Sequence, residues 1–283
     1  MSTPTPARPI RVARRLSSRE FIAEGFREIW SRRRLARYLV RADLHKHGAD
    51  TFLGNVWWLL DPLLQMVVYV VLVSVIARVS KPDYPLFVFC AILPWKWFST
   101  AVNDGISSVT SRERIIKQVK FPTIVLPVSA TLSGVVNFVF GFIPLVALIL
   151  LFFPHRQFAT ILLIPFVAVV QFVFSLAIAM FVAATNVFFR DIANVARHGL
   201  RLWFYLSPAL YELSDVSERS QTLGTLMALN PWTPLFESYR AVIYEGTMPS
   251  WGPLAVLLAV SLVMLALATL YFKRLEPAFA KVL

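Results

Sequence analysis

Residues 124–153 read IVLPVSATLSGVVNFVFGFIPLVALILLFF and contain no charged side chain. A bilayer core about 30 Å thick is crossed by about 20 apolar residues in a helix that rises about 1.5 Å per residue. Similar apolar runs cover 58–79, 86–109, 158–188 and 253–271, and a shorter one covers 200–211. The sequence therefore predicts an all-α integral membrane protein with six transmembrane helices.

The overall composition agrees with that class. Apolar residues make up 57% of the 283 residues and charged residues only 16%, whereas an average soluble domain is about 45–50% apolar and about 25% charged. A disordered chain is excluded because too much apolar surface would stay exposed. A disulfide-stabilised scaffold is excluded because Cys90 is the only cysteine.

Lysine and arginine fall mainly on one side of the predicted membrane. With a cytoplasmic N terminus, 22 of the 28 lie on cytoplasmic segments and 5 on outer ones, while Lys96 lies inside a span. Such an excess marks the cytoplasmic side, so we expect both termini there. The net charge of +12 then reflects topology and contact with anionic membrane lipids, and no nucleic-acid partner is expected.

Residues 1–56 are predicted to form a basic cytoplasmic segment in front of a membrane domain over 57–283. Ser17 and Glu20 have the spacing of a capping box, which satisfies backbone amides at the start of a helix. Phe21, Phe26 and Trp30 follow at helical spacing among arginines. This pattern predicts an amphipathic helix in the membrane interface, acting either as a simple anchor or as a mechanical part.

The sequence shows no basis for catalysis. No glycine is followed by lysine, so the phosphate-binding Gly-x-x-x-x-Gly-Lys-Ser/Thr loop is missing. His45 and His47 are two residues apart, which does not place them on one face of a helix, and no carboxylate–cysteine cluster accompanies them. We expect no catalytic residue, no metal site and no cofactor in this chain, so the energy for any transport must come from elsewhere.

The basic segment 111–122, between the second and third spans, carries four apolar residues: Ile115, Ile116, Val119 and Phe121. A cytoplasmic loop explains the charge of this segment but not its apolar side. A short helix that docks into the groove of a partner protein explains both. A second cytoplasmic stretch begins at Arg190, and Asp191 is suited to cap a helix there.

Several sequence blocks resemble the permease subunits of type-2 ABC exporters that move lipid-linked polysaccharides. The blocks are GNVWWLLDPLLQ at 54–65, LPW at 93–95, IIKQVKFP at 115–122, NVFFRD at 186–191, LSP at 206–208, LNP at 229–231 and ESYR at 237–240. They occur in order over nearly the whole chain from about residue 35. Lys96 departs from the family pattern, in which an apolar residue is usual at this place.

The resemblance implies a homodimer of permeases, each bound to a separate ATPase subunit that binds ATP and Mg²⁺. A coupling helix between the second and third spans would sit in a cleft of that ATPase. The coupling residues expected on this basis are Arg112, Arg114, Ile115, Ile116, Lys117, Val119, Phe121, Arg190 and Asp191. The N-terminal amphipathic helix would flank the gate and the lipid head group of the substrate.

The resemblance also implies a channel lined by aromatic rings. Rings suit a glycan path because the apolar C–H face of a sugar stacks on them without a fixed hydrogen-bond register. The expected path residues are Trp58, Tyr69, Trp95, Lys96, Trp97, Phe98, Trp203, Phe204 and Tyr205. The alternative is an interfacial belt, since Trp and Tyr concentrate at span ends.

Charges within the predicted spans are costly and need partners. Lys96 has three possible roles, which are to snorkel to the interface, to meet Asp104 or to contact an anionic substrate, while Asp61 is expected near the inner interface. The outer segment 212–250 has two apolar parts separated by LNPWTP, and it is predicted to form a re-entrant pair of helices. Such a pair would gate the outer exit in this family.

The resemblance thus implies a permease of a bacterial inner membrane that exports a lipid-linked polysaccharide. An O-antigen, a teichoic acid and a cell-wall galactan all fit as the glycan. Two other kinds of transporter stay open, namely an ATP-independent secondary transporter or channel and an ABC permease for a small drug-like substrate. A membrane-bound glycan-modifying enzyme is disfavoured, because the carboxylates and histidines are scattered along the chain.

Overall fold

The structure is a computed structural model that describes residues 17–48, 54–76, 78, 81–119, 121–156 and 158–283. Within these ranges all regular structure is helical. The helices are α1 (Ser18–Ser31), α2 (Arg33–Gly48), α3 (Trp57–Val70), α4 (Tyr84–Ser108), α5 (Glu113–Gln118), α6 (Val125–Phe152), α7 (Ile164–Phe188), α8 (Ile192–Tyr205), α9 (Leu213–Arg219), α10 (Gln221–Ala228), α11 (Trp232–Arg240) and α12 (Trp251–Val282). The predicted tail before Ser17 lies outside the described residues.

Among the described residues, five helical segments are long and apolar enough to cross a membrane. They cover Trp57–Ile76, Tyr84–Ser108, Val125–Phe152, Ala159–Phe188 and Trp251–Val282. The first four lie within three residues of the predicted spans at each end. The last continues eleven residues beyond its predicted end, because charged residues end the apolar run at 271 without ending the helix. The all-helical membrane class is confirmed.

The shorter apolar run at 200–211 does not form a helix of its own. Helix α8 begins earlier, at Ile192, and ends at Tyr205. Pro208 follows closely, and proline disfavours helical geometry at the residue before it. The guanidinium of Arg240 donates to the carbonyls of Pro208 and Ala209, at 2.7 and 2.6 Å, and so satisfies backbone groups in this turn. A sixth membrane span stays a prediction.

Helices α7 and α12 lie side by side and run in the same direction. Three ring pairs mark the start, the middle and the end of this contact: Phe166–Trp251, Phe181–Tyr271 and Phe188–Phe279. The C terminus therefore lies at the same end of the bundle as α5. We call this the basic end, defined by α1, α2, α5 and the last turns of α12. The opposite end carries residues 81–83, 153–156 and 158.

Helix α4 is the centre of the bundle and packs against α3, α6, α7, α8 and α11. Its approach to α6 is close, because a Cβ atom at Gly134 would lie 2.6 Å from the indole of Trp97. The buried side chain of Gln171 donates to the carbonyl of Pro94 and accepts from the hydroxyl of Tyr239, at 2.8 Å each. This amide therefore ties α4, α7 and α11 together inside the core.

The predicted capping box at the start of α1 is confirmed. The hydroxyl of Ser17 accepts from the Glu20 amide at 3.3 Å, and the Glu20 carboxylate accepts from the Ser17 amide at 2.6 Å. The helix then packs across α12 through Gly25, where a Cβ atom would lie only 2.5 Å from Thr269. The N-terminal helix is thus fixed against the bundle along one side.

A buried lysine fixes this contact further. The ammonium of Lys273 on α12 lies 2.6 Å from Glu28 of α1 and 2.7 Å from Glu276. Glu276 also accepts from the backbone amide and the hydroxyl of Thr123, which follows α5. One ionic cluster therefore connects the N-terminal helix, the C-terminal helix and the segment after α5.

We expect Lys273→Met to destabilise the protein by about 3–5 kcal/mol, because it leaves carboxylates without their buried partner. Thermal unfolding in detergent measures the loss, and hydrogen exchange should show faster opening of α1. Arg274→Met is the matched control, since Arg274 contacts the Ser18 hydroxyl at an exposed site and should cost less than about 1 kcal/mol. Equal effects of the two substitutions would contradict this role of Lys273.

A second polar cluster holds the opposite end together. Asp83 lies 2.7 Å from Nε2 of His155 and accepts from Arg156 at 2.9 Å. Arg156 also donates to the carbonyl of Tyr244, whose hydroxyl donates to the carbonyl of Pro82. Burial alone would raise the pKa of Asp83, but the hydrogen bonds from His155 and Arg156 outweigh it and lower that pKa.

The lowered pKa of Asp83 makes the folding stability of the protein depend on pH. The stabilisation that ionised Asp83 gives to the folded state is fully present above its unfolded-state pKa of about 3.9. It is lost as the pH falls through the lower folded-state pKa. We expect the thermal midpoint to fall as the pH is lowered from about 5 to about 2, and to fall less in Asp83→Asn. Glu218→Gln, at an exposed position, is the control. An unchanged pH profile in Asp83→Asn would contradict this assignment.

Candidate functional site

The two segments expected to couple to an ATPase lie together at the basic end. Arg112 binds Asp43 of α2 at 3.0 Å, which fixes the start of α5 against the N-terminal region. Glu113 binds Lys117 at 2.7 Å and lies 3.9 Å from Arg190. The hydrogen bond from Lys117 lowers the pKa of Glu113. Residues from two different loops thus form one surface.

The four apolar residues of this segment do not share one face, contrary to the predicted apolar side. Ile116 and Phe121 pack against the core of this chain. Ile115 and Val119 are 48% and 59% exposed. Residues four apart lie on one side of a helix, whereas Ile116 is turned away by about 100°. The surface open to a partner consists of Arg114, Ile115, Lys117 and Val119, which we call the docking face.

Asp191 lies at the N-cap position of α8, as the sequence indicates, but its side chain makes no capping hydrogen bond there. Its carboxylate is exposed.

In the N-terminal helix, Phe26 and Trp30 are exposed while Phe21 is half-buried. Phe26 and Trp30 are therefore free to contact lipid.

Most of the predicted path residues are packed inside the chain. Tyr69, Trp95, Trp97, Phe98 and Phe204 are buried. Trp58, Lys96 and Trp203 are half-buried, and Tyr205 is 54% exposed. These aromatic side chains therefore do not line one open channel within a single chain.

The aromatic residues divide into two groups. Trp95 is the centre of the first, with its ring 5.3 Å from Phe204, 6.2 Å from Trp203 and 4.8 Å from Trp232. Tyr69 joins this group through Phe204 and Tyr205. Sequence reasoning missed Trp232, because its partners Trp95 and Phe98 on α4 lie more than a hundred residues away.

The second group lines a cavity of about 350 Å³ between α3, α4 and α6. Trp58 and Trp97 form part of its wall. Lys96 also lies there and is paired with Asp61 across the helices, a partner that the sequence did not indicate. Lys96 stands halfway along α4.

A polar side of α4 and α8 is the feature that sequence reasoning missed. Asn103 and Ser107 are exposed on α4, and with Arg190 and Arg197 they line a cavity of about 520 Å³ at the basic end. The sequence did contain a signal for this polar side, since α4 is the least apolar of the five long segments. Polar residues also recur at helical spacing along α4, at Lys96, Ser99, Thr100, Asn103 and Ser107.

The chain after α8 folds as a hairpin between the opposite end and the middle of the bundle. Glu212 binds Lys81 near the opposite end. Asn230, between α10 and α11, accepts from the indole of Trp203 at 3.1 Å and donates to Ser207 at 2.8 Å. Tyr244 then returns to Pro82. That this hairpin dips into a bilayer stays a prediction.

The described residues include no group of three or more His, Cys, Asp or Glu side chains that could hold a metal ion. The candidate sites are an exposed docking face at the basic end, the cavity beside Trp58 and Lys96, the cavity beside Asn103 and Arg190, and a packed aromatic cluster. The docking face combines two cations with two apolar side chains. Tryptophan and an ion pair line the first cavity, and arginine and asparagine line the second.

A family model described as ABC-2 type transporter matches residues 34–244, which extend from α2 to the end of the hairpin. The chain belongs to the ABC-2 type transporter family. It is 38% identical over 257 residues to the O-antigen export system permease protein RfbA of Myxococcus xanthus, covering 90% of this chain and 97% of that protein. Two RfbA permeases of Klebsiella pneumoniae are 24% identical over 245 residues, covering 87% of this chain and 93% of theirs.

The family match contains α5, the polar side of α4 and α8, and both aromatic groups. This ABC-2 chain is therefore a multi-pass membrane transport component. The N-terminal helix α1 lies outside the matched region, although its contacts with α12 attach it to the same bundle.

Proposed function

We propose that this chain is the permease subunit of an ATP-driven exporter for a lipid-linked polysaccharide. The observation that carries the proposal is the match along nearly its whole length to permeases of O-antigen export. Of the three glycans that fit the sequence, an O-antigen is the one that these relatives' names favour. Residues 57–283 form the membrane domain, and residues 1–56 form a cytoplasmic segment.

The ATPase would be a separate subunit that binds the docking face. Arg114, Ile115, Lys117 and Val119 offer apolar side chains between two cations, a pattern that suits a groove with acidic rims. The neighbouring Arg190 and Asp191 extend this surface. ATP and Mg²⁺ would be held by that partner, and the basic end of the bundle would face the cytoplasm of a bacterial cell.

The transport path would lie between two copies of this chain in the inner membrane. The exposed side of α8 carries Arg197, His198, Arg201 and Tyr205. A charged face of this kind is costly against lipid and is expected to face water or protein. Together with Asn103 and Ser107 of α4, it supports a polar passage at the basic end, leading towards Tyr205 and the aromatic cluster.

Charged replacements in the docking face test this proposal. We expect Ile115→Glu with Val119→Glu to abolish co-purification of an ATPase subunit from native membranes, and to reduce ATP-dependent transport of lipid-linked glycan into vesicles at least about tenfold, since the few central residues that dominate an interface contribute about 2 kcal/mol or more each. The physical reason is that two carboxylates would enter an apolar contact.

Val282→Glu is the matched control, because Val282 is also an exposed apolar residue at the basic end. It should leave co-purification and transport unchanged. An ATPase that stays bound to the Ile115→Glu and Val119→Glu variant would refute the docking face. Absence of any ATPase from the wild-type preparation would favour an ATP-independent transporter instead.

A further inference from the structure

The cavity between α3, α4 and α6 holds an ion pair between a carboxylate of α3 and a lysine of α4. Asp61 and Lys96 come from different helices and both line this cavity. The Asp61 side chain is 61% exposed and that of Lys96 is 28% exposed. Both groups line the cavity and keep part of their surface exposed, so they are available to a ligand there.

The pair makes the cavity polar without giving it a net charge. Lys96 offers hydrogen-bond donors, and the Asp61 carboxylate offers acceptors next to them. A phosphate group would gain from the lysine but would be repelled by the neighbouring carboxylate. The site therefore favours a neutral ligand that both donates and accepts hydrogen bonds.

Asn137 of α6 adds an acceptor to the same cavity. Its side-chain oxygen is buried and has no hydrogen-bond partner among the described residues. A buried polar atom without a partner is uncommon in folded proteins, and this one lies on the cavity wall, where a bound group can satisfy it. That group must donate a hydrogen bond, which a hydroxyl does and an ionised phosphate does not.

Aromatic rings form much of the wall around these polar groups. Trp57, Trp58 and Phe138 line the cavity, and the ring of Trp58 lies 5.4 Å from that of Phe140. Flat apolar walls beside clustered donors and acceptors match a pyranose, which has an apolar C–H face and a rim of hydroxyls. A volume of about 350 Å³ lies within the range of small-molecule sites, about 300–1,000 Å³.

We infer that this cavity is a binding site for one uncharged sugar residue, held between the Asp61–Lys96 pair and the Asn137 amide. The inference rests on the proposed function, since the sugar would be a residue of the exported glycan. Asp61, Lys96 and Asn137 would then determine which sugar is accepted, while the aromatic walls would tolerate several.

Binding to the assembled permease–ATPase complex in nanodiscs tests the inference. The probes are methyl glycosides of neutral hexoses and 6-deoxyhexoses, and separately inorganic pyrophosphate, with quenching of tryptophan fluorescence as the readout. We expect at least one methyl glycoside to bind the wild type, and to bind Asn137→Leu about fivefold more weakly, as for the loss of one net hydrogen bond. Lys96→Met with Asp61→Leu should weaken binding further.

Ser175→Ala is the matched control. It removes another buried polar atom without a partner in the described residues, but on α7 and outside the cavity, so glycoside binding should match the wild type. Asn137→Gln, which keeps the amide, should retain more binding than Asn137→Leu if the double replacement fails to fold. Equal binding by the wild type and Asn137→Leu, or pyrophosphate binding that Lys96→Met removes, would overturn the inference.

Transport measurements separate this inference from the proposed function. If the wild-type complex transports lipid-linked glycan but no methyl glycoside binds and Asn137→Leu transports normally, the sugar site is wrong and the exporter stands. If methyl glycosides bind in the expected manner but no glycan is transported with ATP, the sugar site stands and the exporter is wrong.

Discussion

A lysine costs about 2.5–3.5 kcal/mol at the centre of a membrane-spanning helix, and Lys96 lies halfway along the central helix α4. This constraint determines much of the arrangement around it. Lys96 must face protein or water, and it meets Asp61 at a cavity. The polar residues that follow along α4 must likewise avoid lipid, and Asn103 and Ser107 share a second cavity with arginines from α8. The remaining faces of α4 are apolar and pack against its neighbours.

The two ends of the bundle are held by different ionic clusters. At the basic end, Lys273 and Glu276 connect α1, α12 and the segment after α5, so the docking face and the N-terminal helix are joined through one ionic cluster. This favours a mechanical role for α1 over a simple anchor. At the opposite end, Asp83 and Arg156 hold three loops together. A partner that binds α5 would therefore contact a segment that is attached to α1 and α12, and not an isolated loop.

The long helices and the capping box could be predicted because both depend on residues close together in sequence. Hydropathy over 124–153 is enough to place α6, and the Ser17–Glu20 spacing is enough to place the start of α1. The partner of Lys96 could not be predicted, because Asp61 is 35 residues away and meets it only after α3 and α4 pack. Helix α8 was misplaced because its amphipathic pattern resembles neither a lipid-facing span nor a loop. Ile115 and Ile116 have the same hydropathy, and only the packing of α5 shows which of them is exposed.

Access of water to the polar side of α4 and α8 is the most direct test of the account. Cys90 is the only cysteine and is buried, so a Cys90→Ser background accepts single cysteines at Asn103, Ser107 and Arg201, and at the exposed apolar positions Val139 and Leu267. The complex in membranes is treated with a water-soluble maleimide. The account predicts labelling at the three polar positions and protection of the two apolar ones by lipid. Protection of all five positions, or equal labelling of all five, would contradict a polar passage along these helices.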